Sequence, residues 1–560
     1  MKRALLLLSV MTGCTERIQI TPDPLVGLVG LDIIPGDVTI TVTDLAPPHR
    51  TFQYSAMGRF DDGSIQDLTS QVGWSVDNTR LGALDGNGLF TASQTAAGYG
   101  TVTARVHGQS TTSTLTVMID ATIVDTAFPP PRGDLFTPMP ITGDPAAPSI
   151  LYPTSGTRFP QGVASTLFQY SAPTTYDAYR LRFESPVLHL AVETGADRWQ
   201  AEGDLQRLLS GTGLAAPISL AVDGTLSTGN GTVYGSAPIA LLYSADAPSG
   251  SLYFWSASTS GIMRGGLDTT SASKLYPETT TCVGCHAVSR DNLSMAMGYD
   301  NTVSIDLQSI NVASLQTQIS AAASTPMGWA TYSPDGSQLV VANNGILSIV
   351  DATTGAVTGK VPLPATRFAT HPDWSPDGSY LAVALTTQTP NNLDVKSSSI
   401  ARIPYSGGAW GVPEILVSGS SSNNNYFPKW SPDGRFIAFV HATTSSQGAK
   451  SAELMLIAAD GGPPTYLAAA SHRVGADTLG DLSNTMPHWA PRQGDFAWLA
   501  FVSARPYGEV LPTTGRGQIW ITSVDLSMPG DSSSPAFWLP CQDVTVLNNN
   551  PVWAGEVLTQ

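Results

Sequence analysis

The chain has 560 residues, 42% of them hydrophobic and 13% charged, which supplies several buried cores and predicts three or four domains. The formal net charge of −17, from 27 basic against 44 acidic residues, lacks the basic surface that phosphate backbones need, so no nucleic-acid partner is expected. Abundant Gly and Pro, with many Ser and Thr, fit a turn-rich, exported β protein.

The first elements are targeting signals. Lys2 and Arg3 form a positive start, Ala4 to Met11 a short apolar run, and Met11-Thr12-Gly13-Cys14 follows. This ending resembles a bacterial lipobox, although Met11 stands where Leu, Val or Ile is usual. The resemblance implies that residues 1–13 are a lipoprotein signal peptide and that Cys14 is the lipidated first residue of the mature chain. The apolar run is too short to span a bilayer, and no later segment has about 20 apolar residues in a row. Thr15, rather than Asp, follows the cysteine. The expectation is a cell-envelope protein held at a membrane, the outer one, through an N-terminal lipid.

Residues 25–119 alternate as strands between turn signals, with Val38–Val42 and Thr114–Val117 rich in β-branched side chains. The ordered series Asp62-Gly63-Ser64, Asp67-Leu68-Thr69, Val72-Gly73-Trp74-Ser75, Gly88-Leu89-Phe90-Thr91-Ala92 and Thr101-Val102-Thr103-Ala104 resembles the bacterial Ig-like group 2 domain. Such a domain implies a spacer or adhesive module with Trp74 in its core. Residues 120–147, with Pro129-Pro130-Pro131, predict an extended linker. Residues 148–246 read as a second β-sandwich, similar to fibronectin type III modules, with His189 structural.

Residues 250–560 contain a repeat. Tyr332-Ser333-Pro334-Asp335-Gly336, Trp374-Ser375-Pro376-Asp377-Gly378 and Trp430-Ser431-Pro432-Asp433-Gly434 each run into an alternating apolar strand, and Trp489-Ala490-Pro491 begins a degenerate copy. Pro fixes φ, Asp bonds back to the turn, and Gly takes the positive φ, so these aspartates are turn residues rather than catalytic carboxylates. The repeat resembles that of TolB-type propellers. Asn550-Pro551-Val552-Trp553 starts another unit, and Val288-Ser289-Arg290-Asp291-Asn292 aligns as the first, which makes six blades. Leu252–Ser256 is expected as an outer strand that closes the last blade. The predicted fold is thus all-β: two N-terminal β-sandwich domains, then a six-bladed β-propeller.

The chemistry lies in Cys282-Val283-Gly284-Cys285-His286, a C-x-x-C-H pattern. Two thiols at that spacing form thioethers to one haem, and the imidazole supplies the proximal iron ligand. Export and the scarcity of cysteine, four in all, agree with one covalent haem c. The rival readings are a Cys282–Cys285 disulfide in a pure interaction scaffold, and a metal site, for which no second cysteine pair exists. Candidates for the sixth ligand are His371, His488 and Met486, each just before a repeat tryptophan, while His441 and His472 lie farther off. A filled sixth position implies electron transfer to a redox partner; an open one implies a haem oxidoreductase. The propeller face would otherwise take a protein or polysaccharide ligand. Cys541 reads as a buried thiol.

Overall fold

A computed structural model describes residues 25–129, 135–228, 231–276, 283–300, 304–321, 325–472, 482–491, 494–513, 515–528 and 530–555. The signal peptide, Cys14 and Cys282 lie outside these residues. The described chain is nearly all β, and its one α-helix is Gly203–Thr212. It divides into two compact units, the first from residues up to 40, 49–92 and 99–116, the second from 41–48, 93–98 and 117 onward.

In the first unit, strands Leu28–Ile34, Ser55–Phe60 and Ile65–Asp67 form one sheet, and Thr51–Gln53, Leu89–Ala92 and Gly82–Leu84 another. Alternation drives this, since every second side chain of a strand faces the same side. The centre of the core is Tyr54 and Phe90, both fully buried. Trp74 is half-buried at the core's edge, 6.2 Å from the Tyr54 ring, with its indole N–H donated to the Thr69 carbonyl at 2.8 Å.

The second unit begins with a β-sandwich. Ser149–Tyr152, Ser165–Ser171 and Arg198–Glu202 form one sheet, and Ala178–Ser185, between Leu188–Thr194 and Ile218–Thr225, the centre of the other. Phe168, Phe183 and Trp199 pack between them at ring separations of 5.2 to 5.9 Å. His189 is exposed and bonded to Glu184, away from any cavity. Residues 120–147 differ from the linker expected of them. Ile119–Val124 pairs in parallel with Leu188–Glu193, Ile141–Thr142 pairs with Tyr234–Gly235, and Phe128 and Phe136 are buried. β-Branched and aromatic side chains on both flanks of the prolines draw the stretch into the sandwich; residues 130–134 fall outside the described set. The helix Gly203–Thr212 was not anticipated; it buries Leu208 and Leu209.

Six antiparallel sheets of four or more strands follow, each led by an innermost strand. The inner strands are Val283–Val288, Trp329–Tyr332, Phe368–Trp374, Asn424–Trp430, Thr485–Trp489 and Asn548–Ala554, taken as blades 1 to 6. In blade 6 the C-terminal strand pairs with Ser251–Ser256, which carries Gly261–Gly265 and Ser273–Tyr276 outward. The start and end of the propeller thus complete one sheet and leave no open inner edge.

Registers bear out the repeat alignment. Tyr332 pairs with Leu339, Trp374 with Leu381 and Trp430 with Ile437, and Val288 pairs with Met295 in the same way. The tryptophan fills the seam between blades: Trp374 packs with Val340 and Leu347 of blade 2 and Leu381 and Ile403 of its own. In the turn, the Ser375 hydroxyl donates to Asp377 at 2.6 Å, the Tyr380 N–H donates to the Ser375 oxygen at 2.9 Å, and Gly378 has φ +74°. The Ser375 hydroxyl holds the Asp377 carboxyl below the usual carboxylate range. Blade 1 makes the same turn with Asn292 at φ +59° in place of glycine.

Candidate functional site: the propeller channel

The inner strands line a central channel, and most of them share one irregularity. The ladder slips between Gly284 and Ala287, Thr370 and Asp373, Tyr426 and Lys429, and Thr485 and His488, and opposite Tyr253–Trp255 in blade 6. At each slip one residue has left-handed φ: Cys285 (+44°), His371 (+51°), Phe427 (+52°), Met486 (+52°) and Asn550 (+48°). Non-glycine residues adopt this region at a cost of roughly 1–2 kcal/mol, so its recurrence marks a built bulge that re-aims side chains. The next residue is Pro372, Pro428, Pro487 or Pro551 in four blades, and proline gives no N–H to a ladder already broken there. In blade 1 that residue is His286. Cys285 and His286 therefore lie within the inner strand, the cysteine at the kink and the histidine in the proline position.

The bulges bring the sequence candidates together. His286, His371, His488 and Met486 line one cavity of about 70 Å³ at the channel waist. They come from three different repeat offsets: His371 and Met486 from the kink, His286 from the proline position, and His488 from the position after it. His441 is not among the residues lining the waist and contacts Asn425. Cys285 is half-buried; Cys541 is buried, which pushes its thiol up to about 11.

His286 is 5% exposed, and both ring nitrogens have partners. Nε2 lies 3.2 Å from the Tyr253 carbonyl and Nδ1 lies 3.2 Å from the Asn550 amide nitrogen. A carbonyl only accepts, so Nε2 carries the proton and Nδ1 receives the Asn550 N–H. Burial, with the Lys429 charge adding to it, holds the imidazole down to about 4, and it is neutral at ordinary pH. His488 Nδ1 is 3.1 Å from both the Trp553 N–H and the Trp489 carbonyl; as the N–H can only donate, Nδ1 accepts and Nε2 bears the proton. Burial and then Lys429 bring His488 down to about 3. His371 sits among rings, 3.8 Å from Phe427 and 5.0 Å from Trp329 between centroids, and its Nδ1 is buried without a hydrogen-bond partner. Its proton affinity is far below that of a free imidazole, through burial first and Lys429 second.

Sequence reasoning missed Lys429, Asp373 and Asn550. Lys429 pairs with Asp373 at 2.9 Å, and the second Asp373 oxygen accepts the Trp430 N–H at 2.8 Å. The signal was available: Asp373 and Lys429 each stand one residue before a repeat tryptophan, as His488 does, and Asn550 holds the kink position of His371.

The waist opens at both ends. Where the inner strands begin, an apolar hollow of about 320 Å³ has Trp329, Phe427 and Met486 in its wall. Where they end, a vestibule of about 240 Å³ has Arg290, Lys429 and His488 in its wall. Among the described residues, no group of three or more His, Cys, Asp or Glu is placed to hold a metal ion by itself. Pockets for drug-sized ligands occupy roughly 300–1,000 Å³, and a porphyrin is at least that large. The waist, at about 70 Å³, holds on the order of two waters and does not admit a porphyrin. The hollow is larger and mostly apolar, and it lies at the end where the inner strands begin, but neither Cys285 nor His286 is in its wall.

The channel belongs to a six-bladed propeller of the tryptophan-serine-proline-aspartate-glycine repeat type, joined in one unit to a β-sandwich. No protein-family model matches the chain. A stretch of 71 residues, 13% of the chain, is 39% identical to Ice-binding protein 1 of Shewanella frigidimarina and spans 8% of that protein's length. Solved structures with similarity include TolB from Acinetobacter baumannii, at 15% identity over 60% of this chain and 80% of that one, TM-score 0.38. Others are the putative TolB from Agrobacterium tumefaciens, at 16% identity over 52% and 89%, TM-score 0.32, and the dihydro-heme d1 dehydrogenase NirN, at 13% over 53% and 55%, TM-score 0.32.

Proposed function

We propose that this protein is a cell-envelope lipoprotein, anchored through Cys14, whose propeller carries one covalent c-type haem for electron transfer. The observation that carries the reading is His286, next to Cys285 at the blade 1 kink, lining the same waist as His371, His488 and Met486, with an apolar hollow at the adjoining mouth. Cys282 and Cys285 would hold the group by thioethers, and the hollow rather than the waist would receive its ring. Haem supplies a one-electron iron centre there.

His286 is the residue of this chain that would hold the iron. His286 is neutral above about pH 4, so its lone pair is available to a metal throughout the physiological range. The Tyr253 carbonyl fixes the ring through the other nitrogen, the kind of contact that orients metal-bound histidines. Asn550 caps the remaining nitrogen, and iron ligation at His286 requires that its amide turn aside. His371 has an unpaired buried nitrogen on the same waist, which makes it the first candidate for a sixth ligand, ahead of His488, whose Nδ1 is engaged, and Met486.

The satisfied state of His286 and the narrow waist favour one rival, an interaction scaffold with a Cys282–Cys285 disulfide and no haem. The full chain, made in a host with c-type maturation, separates the two. The expected result is a reduced pyridine haemochrome spectrum with one haem per chain that survives denaturation. Absence of covalently retained haem would reject the electron-transfer reading. With haem present, binding of carbon monoxide by high-spin iron would move the reading to an oxidoreductase with an open site.

A further inference from the structure

The vestibule at the far end of the channel, where the inner strands finish, is a separate cavity that shares only His488 with the candidate haem ligands. It is about 240 Å³ in volume, and its wall holds two cationic side chains, Arg290 and Lys429, and one carboxylate, Asp373. Arg290 leaves the turn of blade 1 and donates through Nη2 to the Trp374 carbonyl of blade 3 at 3.2 Å. It thus passes blade 2 and reaches across the mouth. That is its one hydrogen bond to another described residue, so most of the guanidinium fork is unspent. Lys429 of blade 4 gives one of its three N–H groups to Asp373. His488 of blade 5 has Nδ1 occupied by the Trp553 N–H and keeps a proton on Nε2. The opposing charge in the wall is Asp373, and both its oxygens are engaged, with Lys429 and with the Trp430 N–H.

The net result is positive charge in a chain of net charge −17. Around the mouth stand the turn carboxylates Asp291, Asp335, Asp377 and Asp433, each tied to the serine of its own turn. That acidic rim disfavours polyanions and leaves small anions the better fit. From this geometry we infer that the vestibule binds a small carboxylate, seated on the Arg290 fork with Lys429 as the second charge. A planar, bidentate donor matches a carboxylate, and Lys429 adds a compact point charge beside it.

Calorimetric titration of the full chain with acetate, succinate and citrate at fixed ionic strength tests this. Saturable binding of at least one of them is expected, weakened tenfold or more in Arg290→Gln and in Lys429→Met. Arg290 is exposed, so R290Q is expected to fold as wild type, and its melting curve checks that. Chloride-like, non-saturable heats in the wild type, or binding unchanged in R290Q, would overturn the inference. The same titration on the Cys282→Ser/Cys285→Ser chain should give the wild-type affinity, so the outcome is separate from that of the haem reading.

Discussion

Blade 1 and blade 4 have the same backbone and different chemistry. Both inner strands slip at one place, and both put a left-handed residue there, Cys285 in one and Phe427 in the other. Blade 4 continues with Pro428 and is inert: a ring against the waist, then a residue with no N–H. Blade 1 continues with His286, which needs a carbonyl and an amide from neighbouring segments to satisfy it. A bulge that in blade 4 serves packing holds in blade 1 a thiol and an imidazole. The same kink thus forms in other blades without the motif, and in blade 1 Cys285 and His286 occupy its two positions.

If that is right, His286→Pro makes blade 1 resemble its neighbours. The ring should fold, with a melting temperature near wild type, while a haem attached as proposed would lose the His286 ligand and change its absorbance. Loss of folding in H286P would show that blade 1 differs in backbone as well as chemistry. This is the largest effect expected, as it removes a ligand outright.

Next in size is acid sensitivity. His286, His371 and His488 are neutral when buried, while an unfolded histidine takes its proton near pH 6.5. The folded value of His286 is depressed to about 4 and that of His488 to about 3. The unfolded chain therefore binds more protons below pH 6.5, and stability falls as pH falls from there towards 4. For His286 the loss at pH 4 is roughly 3 kcal/mol relative to neutral pH. In the haem-free Cys282→Ser/Cys285→Ser chain, the melting temperature should drop over that window, and His286→Gln should flatten the drop. An unchanged slope in the variant would contradict the burial of a neutral imidazole in blade 1.

The smallest effect concerns the turns. Gly378 in blade 3 and Asn292 in blade 1 hold the same positive-φ position. Gly378→Ala should destabilise by about 1–2 kcal/mol and Asn292→Gly by well under that, because asparagine already tolerates the left-handed region. Denaturant midpoints would compare them, and equal shifts would show that the two turns are not equivalent.

The number of blades and their registers were legible because the repeat is a turn, and turn chemistry is local: Pro, Asp and Gly do the same work in the three full copies, and the other units align on the strands around them. Closure by Ser251–Ser256 was legible for the same reason, since a ring must finish its last sheet. The kink was less so. Its proline stands two residues before the tryptophan in four blades, but a proline inside a strand reads as an exception until the bulge explains it. His371 and His488 sit at different offsets from His286, and only the slipped ladder turns all three to one waist. The narrowness of that waist has no sequence signal, because it depends on how far six sheets close around an axis. Trp74 gave way to Tyr54 and Phe90 as the centre of the first core, a matter of packing that a strand pattern does not rank.

Intact-mass measurement of the denatured full chain, matured in a host that attaches c-type haem, tests the central claim most directly. The account predicts a chain heavier than its polypeptide and lipid by one haem, and loss of that increment in the Cys282→Ser/Cys285→Ser variant. A mass without haem, lower than the thiol form by the hydrogens that a disulfide removes, would contradict it and leave blade 1 as the wall of a scaffold.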